Sequence, residues 1–168
     1  MTLSPEEKWK MLKELGRWQV FELSDVARMV GLPISKAKNW SIGKPLSITP
    51  SVREAQGTGS RSLYSMDDVY RMAVANEMSK LGLPTKAIEA VLQLLKMEFS
   101  KPEGSQVLRK ADWLLIWRKT KEWAIEFRSG PKFQFTPTLE NGLVLVVLDL
   151  KTMVQRLDDR SKEKGGKR

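Results

Sequence analysis

The sequence predicts an α+β protein, on three observations. Apolar residues recur at helical spacing through the amino-terminal part, with tight-turn signals at Gly31-Leu32-Pro33 and Leu81-Gly82-Leu83-Pro84. After Pro102-Glu103-Gly104-Ser105 the pattern changes to short aromatic and β-branched runs. A last helical face, Leu150, Val154 and Leu157, closes the chain.

Taken in order, Ser4-Pro5-Glu6-Glu7 is a capping-box start, and Trp9, Leu12 and Leu15 keep helical spacing until Gly16, which predicts a helix within residues 1–17. Residues 18–23 suit a short strand. Ser24-Asp25-Val26-Ala27-Arg28-Met29-Val30-Gly31 predicts a helix capped by Ser24, with Val26, Ala27 and Val30 on one face and Gly31 as its left-handed stop. Leu32-Pro33 turns the chain into a second helix, from 34 to about 42. A basic Gly/Ser-rich loop follows. The third helix is expected from Ser65, with Asp67 and Asp68 complementing its positive end and Val69, Met72, Ala73 and Met78 on its buried side. The fourth starts at Thr85 and carries Ile88, Val91, Leu92 and Leu95 as a core stripe. Two short helices around a tight turn, then a loop and a helix pair, read as a winged helix-turn-helix over residues 18–100.

The second half differs in character. Trp113-Leu114-Leu115-Ile116-Trp117 and Trp123-Ala124-Ile125-Glu126-Phe127, separated by a charged stretch, predict a hairpin. Phe133-Gln134-Phe135 is expected to add a short third strand. Residues 143–148 are apolar on both faces and suit a buried strand, followed by a helix up to Asp158. Residues 106–158 thus read as a small β-rich domain for dimerisation or effector binding, and 159–168 as a basic, disordered tail. A chain of 168 residues can bury one core and a small second one.

The formal net charge is +9, which favours a polyanionic partner. Between Pro33 and Arg61 the basic residues Lys36, Lys38, Lys44, Arg53 and Arg61 face Glu54 as the single acid, so positive charge falls on the second helix and the loop. Ser35, Lys36, Lys38, Asn39 and Trp40 lie on the helix that enters a major groove in this motif, where such side chains reach phosphates and base edges. Cysteine and histidine are both absent. Disulfides, thiolate chemistry, the usual zinc ligands and the usual general base are thereby removed, and no enzyme activity, cofactor or metal is expected. Absence of cysteine fits a reducing cytoplasm, the expected location. No apolar run of about 18 residues predicts a membrane span, and the first residues are charged and amphipathic, unlike a secretory signal.

These residues resemble the DNA-binding domain of the MerR family of bacterial-type transcription regulators. The resemblance rests on Phe21-Glu22-Leu23-Ser24-Asp25-Val26-Ala27 with Gly31-Leu32 after it, on Lys38-Asn39-Trp40 where the family has Arg-Tyr-Tyr, and on Arg61-Ser62-Leu63-Tyr64-Ser65 as the wing exit. Met66-Asp67-Asp68-Val69 and Leu81-Gly82-Leu83-Pro84-Thr85-Lys86-Ala87-Ile88 complete it as the helix start and helix-pair junction. It implies duplex DNA as the partner, bound by Ser35, Lys36, Lys38, Asn39, Trp40, Lys44, Arg53, Arg61 and Tyr64. Lys38 would fix the recognition helix on phosphate and Ser35, Lys36 and Asn39 would reach base edges. Trp40 would serve as a packing anchor, and Arg61 would contact phosphate or the minor groove.

The chain departs from the family at Asn39 and, more widely, after residue 100, where the family's long pairing helix would have to cross Pro102 and Gly104. A homodimer through residues 106–158 is expected instead, because a single winged helix covers half of a palindromic site. Residues 113–148 are also the candidate region for a small-molecule effector, with Trp113, Trp117 and Trp123 as an aromatic site; the competing reading is a closed core. The function expected is sequence-specific transcriptional regulation. Alternatives are an architectural or accessory DNA-binding protein, excisionase-like or DNA-packaging, and a winged-helix protein-interaction module.

Overall fold

The computed structural model describes residues 20–55, 61–119, 121–130 and 144–163. The expected helix in residues 1–17, the wing tip at 57–60 and the expected strand at 133–135 lie outside them.

The chain is α+β, as its patterning predicts. Strand β1 (Phe21–Glu22) runs directly into helix α1 (Leu23–Val30). The helix therefore starts one residue before Ser24, whose side chain lies inside the first turn and makes no cap; extended Glu22 holds that position instead. Gly31 ends the helix at φ 74°, with Leu32 N–H donating to Ala27 O at 2.8 Å and Gly31 N–H to Arg28 O at 3.2 Å, a Schellman close. After Pro33, α2 (Ile34–Ser41) buries only Ala37 and Trp40. Strand β2 (Leu63–Tyr64) pairs antiparallel with β1, Phe21 opposite Tyr64 and Glu22 opposite Leu63. Leu63 also exchanges backbone hydrogen bonds with Arg53, at 2.8 and 3.2 Å, which closes the base of the wing.

Helix α3 (Met66–Lys80) is the hub, with Val69, Met72, Val74, Ala75 and Met78 fully buried. Ser65 and Asp68 form its capping box reciprocally. Helix α4 (Thr85–Phe99) buries Ala87, Ile88, Val91, Leu92, Leu95 and Phe99, the expected stripe extended to its last turn. The break at residues 101–105 is present, but a further one-turn helix, α5 (Gln106–Lys110), follows it and inserts Leu108 into the core. Five residues carry too little periodicity to be read from sequence.

Strands β3 (Trp113–Lys119), β4 (Glu122–Arg128) and β5 (Val144–Asp149) form an antiparallel sheet in the order β4-β3-β5. Leu114 stands between Phe127 and Leu148, and Ile116 between Ile125 and Val146. These side chains face the helices. Helix α6 (Leu150–Lys162), capped by Asp149, then returns across the helical part. Residues 159–162, expected in a disordered tail, continue this helix because Arg160 is tied down: its Nη1 donates to Met29 O at 3.0 Å, and Arg28 Nη1 donates to Arg160 O. Arg109 of α5 grips Asp158 through two bonds of 2.8 and 2.7 Å. The consequence is one hydrophobic core, in which Val26, Val91, Leu95, Leu114, Val146 and Leu157 belong to a single packed cluster. Among the described residues no separate second cluster forms. Among the described residues no helix is long and apolar enough to cross a membrane.

Candidate nucleic-acid interface

Helix α2 is short and one-sided. Ala37 and Trp40 turn inward and leave Ser35, Lys38 and Asn39 exposed on the opposite face. Ala37 N–H donates to Pro33 O at 3.1 Å, the first bond of the helix itself, and Ile48 N–H donates to Trp40 O at 3.0 Å, which ties the carboxyl-terminal end of the helix to the segment that follows. Lys44 is exposed just beyond the helix, before a cis Lys44–Pro45 bond, and Arg53 is exposed at the wing base. Lys38, Lys44 and Arg53 thus offer charge to solvent.

Two of the other cations are engaged. Lys36 is half-buried, its ammonium 3.2 Å from Ser79 Oγ and 4.9 Å above the Trp40 ring, which fixes α2 against the end of α3. Arg61 Nη1 lies 2.7 Å from both carboxylate oxygens of Glu22. That hydrogen bond and charge raise the Arg61 pKa above its ordinary value, and both side chains remain open to water. Glu22 arrives there because β1 and β2 pair in antiparallel register.

The remaining two are inside. Trp40 is 2% and Tyr64 0% exposed. Trp40 is the packing anchor that its position suggests. Tyr64 cannot touch a duplex in this arrangement, since β2 turns it into the core opposite Phe21, and burial pushes its hydroxyl pKa up.

A shallow groove of about 280 Å³ brings together Ser35, Lys36, Asn39 and Lys44 with Ser79 and Thr85. Arg53 and Arg61 lie apart from it, at the wing base. Ser79 and Thr85 are not among the site residues expected from sequence; the signal available was their place on either side of the Leu81-Gly82-Leu83-Pro84 turn.

The candidate effector region has a different geometry from a cage. Residues directly opposite in an antiparallel sheet share a face. Trp123 is opposite Arg118 and packs toward the core with Ile125 and Phe127, whereas Trp113 and Trp117 point to the other face. The three rings therefore do not converge. Trp113 Nε1 donates to Gly130 O at 3.0 Å, and the Arg118 guanidinium lies 5.9 Å from the Trp123 ring centre.

A comparison of the chain with models of known protein families gives no match, and a comparison with curated proteins gives none either.

Proposed function

We propose that this chain binds duplex DNA as a sequence-specific transcriptional regulator of the MerR type. The observation that carries the reading is the exposed face of α2, where Ser35, Lys38 and Asn39 stand free beside Lys44, on a helix tied by Ile48 N–H at its carboxyl-terminal end and by Lys36 to Ser79 of α3. A rigid helix presenting a cation, an amide and a hydroxyl outward is what phosphate anchoring and base-edge contact require. Lys38, Lys44 and Arg53 hold phosphates, Asn39 and Ser35 read bases, and Lys36 and Trp40 orient the helix. Arg61 reaches DNA once Glu22 releases it.

A homodimer through residues 106–158 and a cytoplasmic location go with this reading. Helix α4 ends at Phe99, before Pro102 and Gly104, so a long pairing helix is not the route to two copies. Selection of bound sequences from a random duplex pool tests the proposal. Wild-type protein should enrich a palindromic site, and Asn39→Ala should relax preference at one position in each half-site while keeping affinity for the rest. Failure to retain any duplex at low salt would favour the protein-interaction alternative.

A further inference from the structure

On the side of the helix pair where the chain passes from α2 toward the wing, Ser47, Thr49, Arg71 and Lys96 line a half-open cleft of about 360 Å³, with Glu89 also on its wall. That size lies within the range of small-ligand sites. Arg71 is the unusual member. It is buried, 7% exposed, in the middle of α3. Among the described residues its one polar contact is weak, Nη1 to Asp68 Oδ1 at 3.4 Å, and its buried Nε has no hydrogen-bond partner. Asp68 is occupied elsewhere: its Oδ2 accepts from Ser51 N–H at 2.9 Å, Ser51 Oγ at 2.7 Å and Ser65 N–H at 3.0 Å. A buried guanidinium with an unused donor is costly unless something satisfies it.

We propose that this cleft binds a small organic monocarboxylate, held by the Arg71 guanidinium. The planar fork of a guanidinium matches the two oxygens of a carboxylate. Ser47 and Thr49 supply hydroxyl donors, and Leu92 and Ala90 give the carbon skeleton an apolar wall. Of the charged side chains lining the cleft, Arg71 and Lys96 are cationic and Glu89 is anionic, an excess of one positive charge that attracts an anion. Burial lowers the Arg71 pKa from its ordinary value, opposed by Asp68 and Asp67; a bound carboxylate would act in the same direction as those acids. On the DNA-binding reading above, the site also has a route to the wing, because the Asp68 that pairs with Arg71 holds Ser51, two residues before Arg53.

The test uses the full chain without DNA, so its failure leaves the DNA-binding reading untouched. The Arg71 Nε–H resonance, assigned by through-bond spectra and by its loss in Arg71→Lys, is followed during titration with acetate, pyruvate and benzoate at fixed ionic strength, with inorganic phosphate in a parallel arm. The expected result is a saturable shift with at least one monocarboxylate, weakened about tenfold in Lys96→Met and in Thr49→Val, the loss of one charge-assisted or hydroxyl contact. Both of those side chains are exposed, so these variants keep the fold. A shift absent up to tens of millimolar, reproduced equally by phosphate, or indifferent to both rim variants would overturn the proposal.

Discussion

Replacing Leu157 by alanine asks whether the two halves of the chain are held together by one core. Leu157 is 3% exposed on α6 and, with Met153, borders Met29, Val30 and Ala73 of the helical part around a small half-open pocket of about 70 Å³. The substitution removes three carbon groups, worth about 2.4 kcal/mol at roughly 0.8 kcal/mol each. The enlarged cavity raises the cost to about 3 kcal/mol, within the roughly 2–5 kcal/mol seen for such changes. For a chain of this size the midpoint of thermal unfolding should fall by roughly 6–12 °C. The assay that decides is native-state hydrogen exchange read residue by residue. In a shared core the most protected amides of α4, at Val91 and Leu95, should lose the same protection free energy as those of β3, at Leu114 and Ile116. A loss confined to the sheet and α6, with α4 at its wild-type level, would refute the reasoning and restore two separate cores.

Other consequences follow from single contacts. Glu22→Gln should free Arg61 and steepen the salt dependence of DNA affinity by about one ion, read by fluorescence anisotropy; an unchanged slope would mean that Arg61 does not face the duplex. Lys36→Ala should lower stability by about 1 kcal/mol through loss of the Ser79 bond and the Trp40 contact, whereas exposed Lys38→Ala should leave the thermal midpoint in place. Asp149→Ala should cost about 1 kcal/mol by uncapping α6. Its carboxyl pKa is depressed, chiefly by the Thr152 backbone N–H, so this contribution is present above the ordinary aspartate value of about 3.9 and is lost as pH falls through the depressed folded value. Denaturation of wild type and variant should therefore converge in acid.

Helix positions were legible because apolar spacing and turn chemistry agree, as in the Ser65 and Asp68 capping box and the Gly31 stop. Their exact starts were less so: Ser24 has the chemistry of a cap, yet β1 hands extended Glu22 to that position. Among the site residues, sequence could mark Ser35, Lys38 and Asn39 as polar members of one helix. It could not reveal that Arg61 meets Glu22, a contact across 39 positions that depends on strand register. Nor could it separate Tyr64 from the surface, since two strand residues give no alternation to read. Arg160, beside Asp158 and Asp159, has the look of a solvated helix end; only the packing of α6 on α1 shows it bonded to Met29 O. The Trp113, Trp117 and Trp123 faces were implicit in strand alternation, but their division needed the β3–β4 register.

The central claim is that α2 and the wing base form a phosphate-binding surface. Affinity of the full chain for a duplex, measured across a series of salt concentrations for wild type and for Lys38→Ala/Lys44→Ala/Arg53→Ala, tests it most directly. With each lost phosphate contact removing about 0.9 from the slope of log affinity against log salt, the triple variant should be shallower by about 2.7 and weaker on every sequence. A wild-type slope retained in the variant, with its fold intact, would contradict the claim.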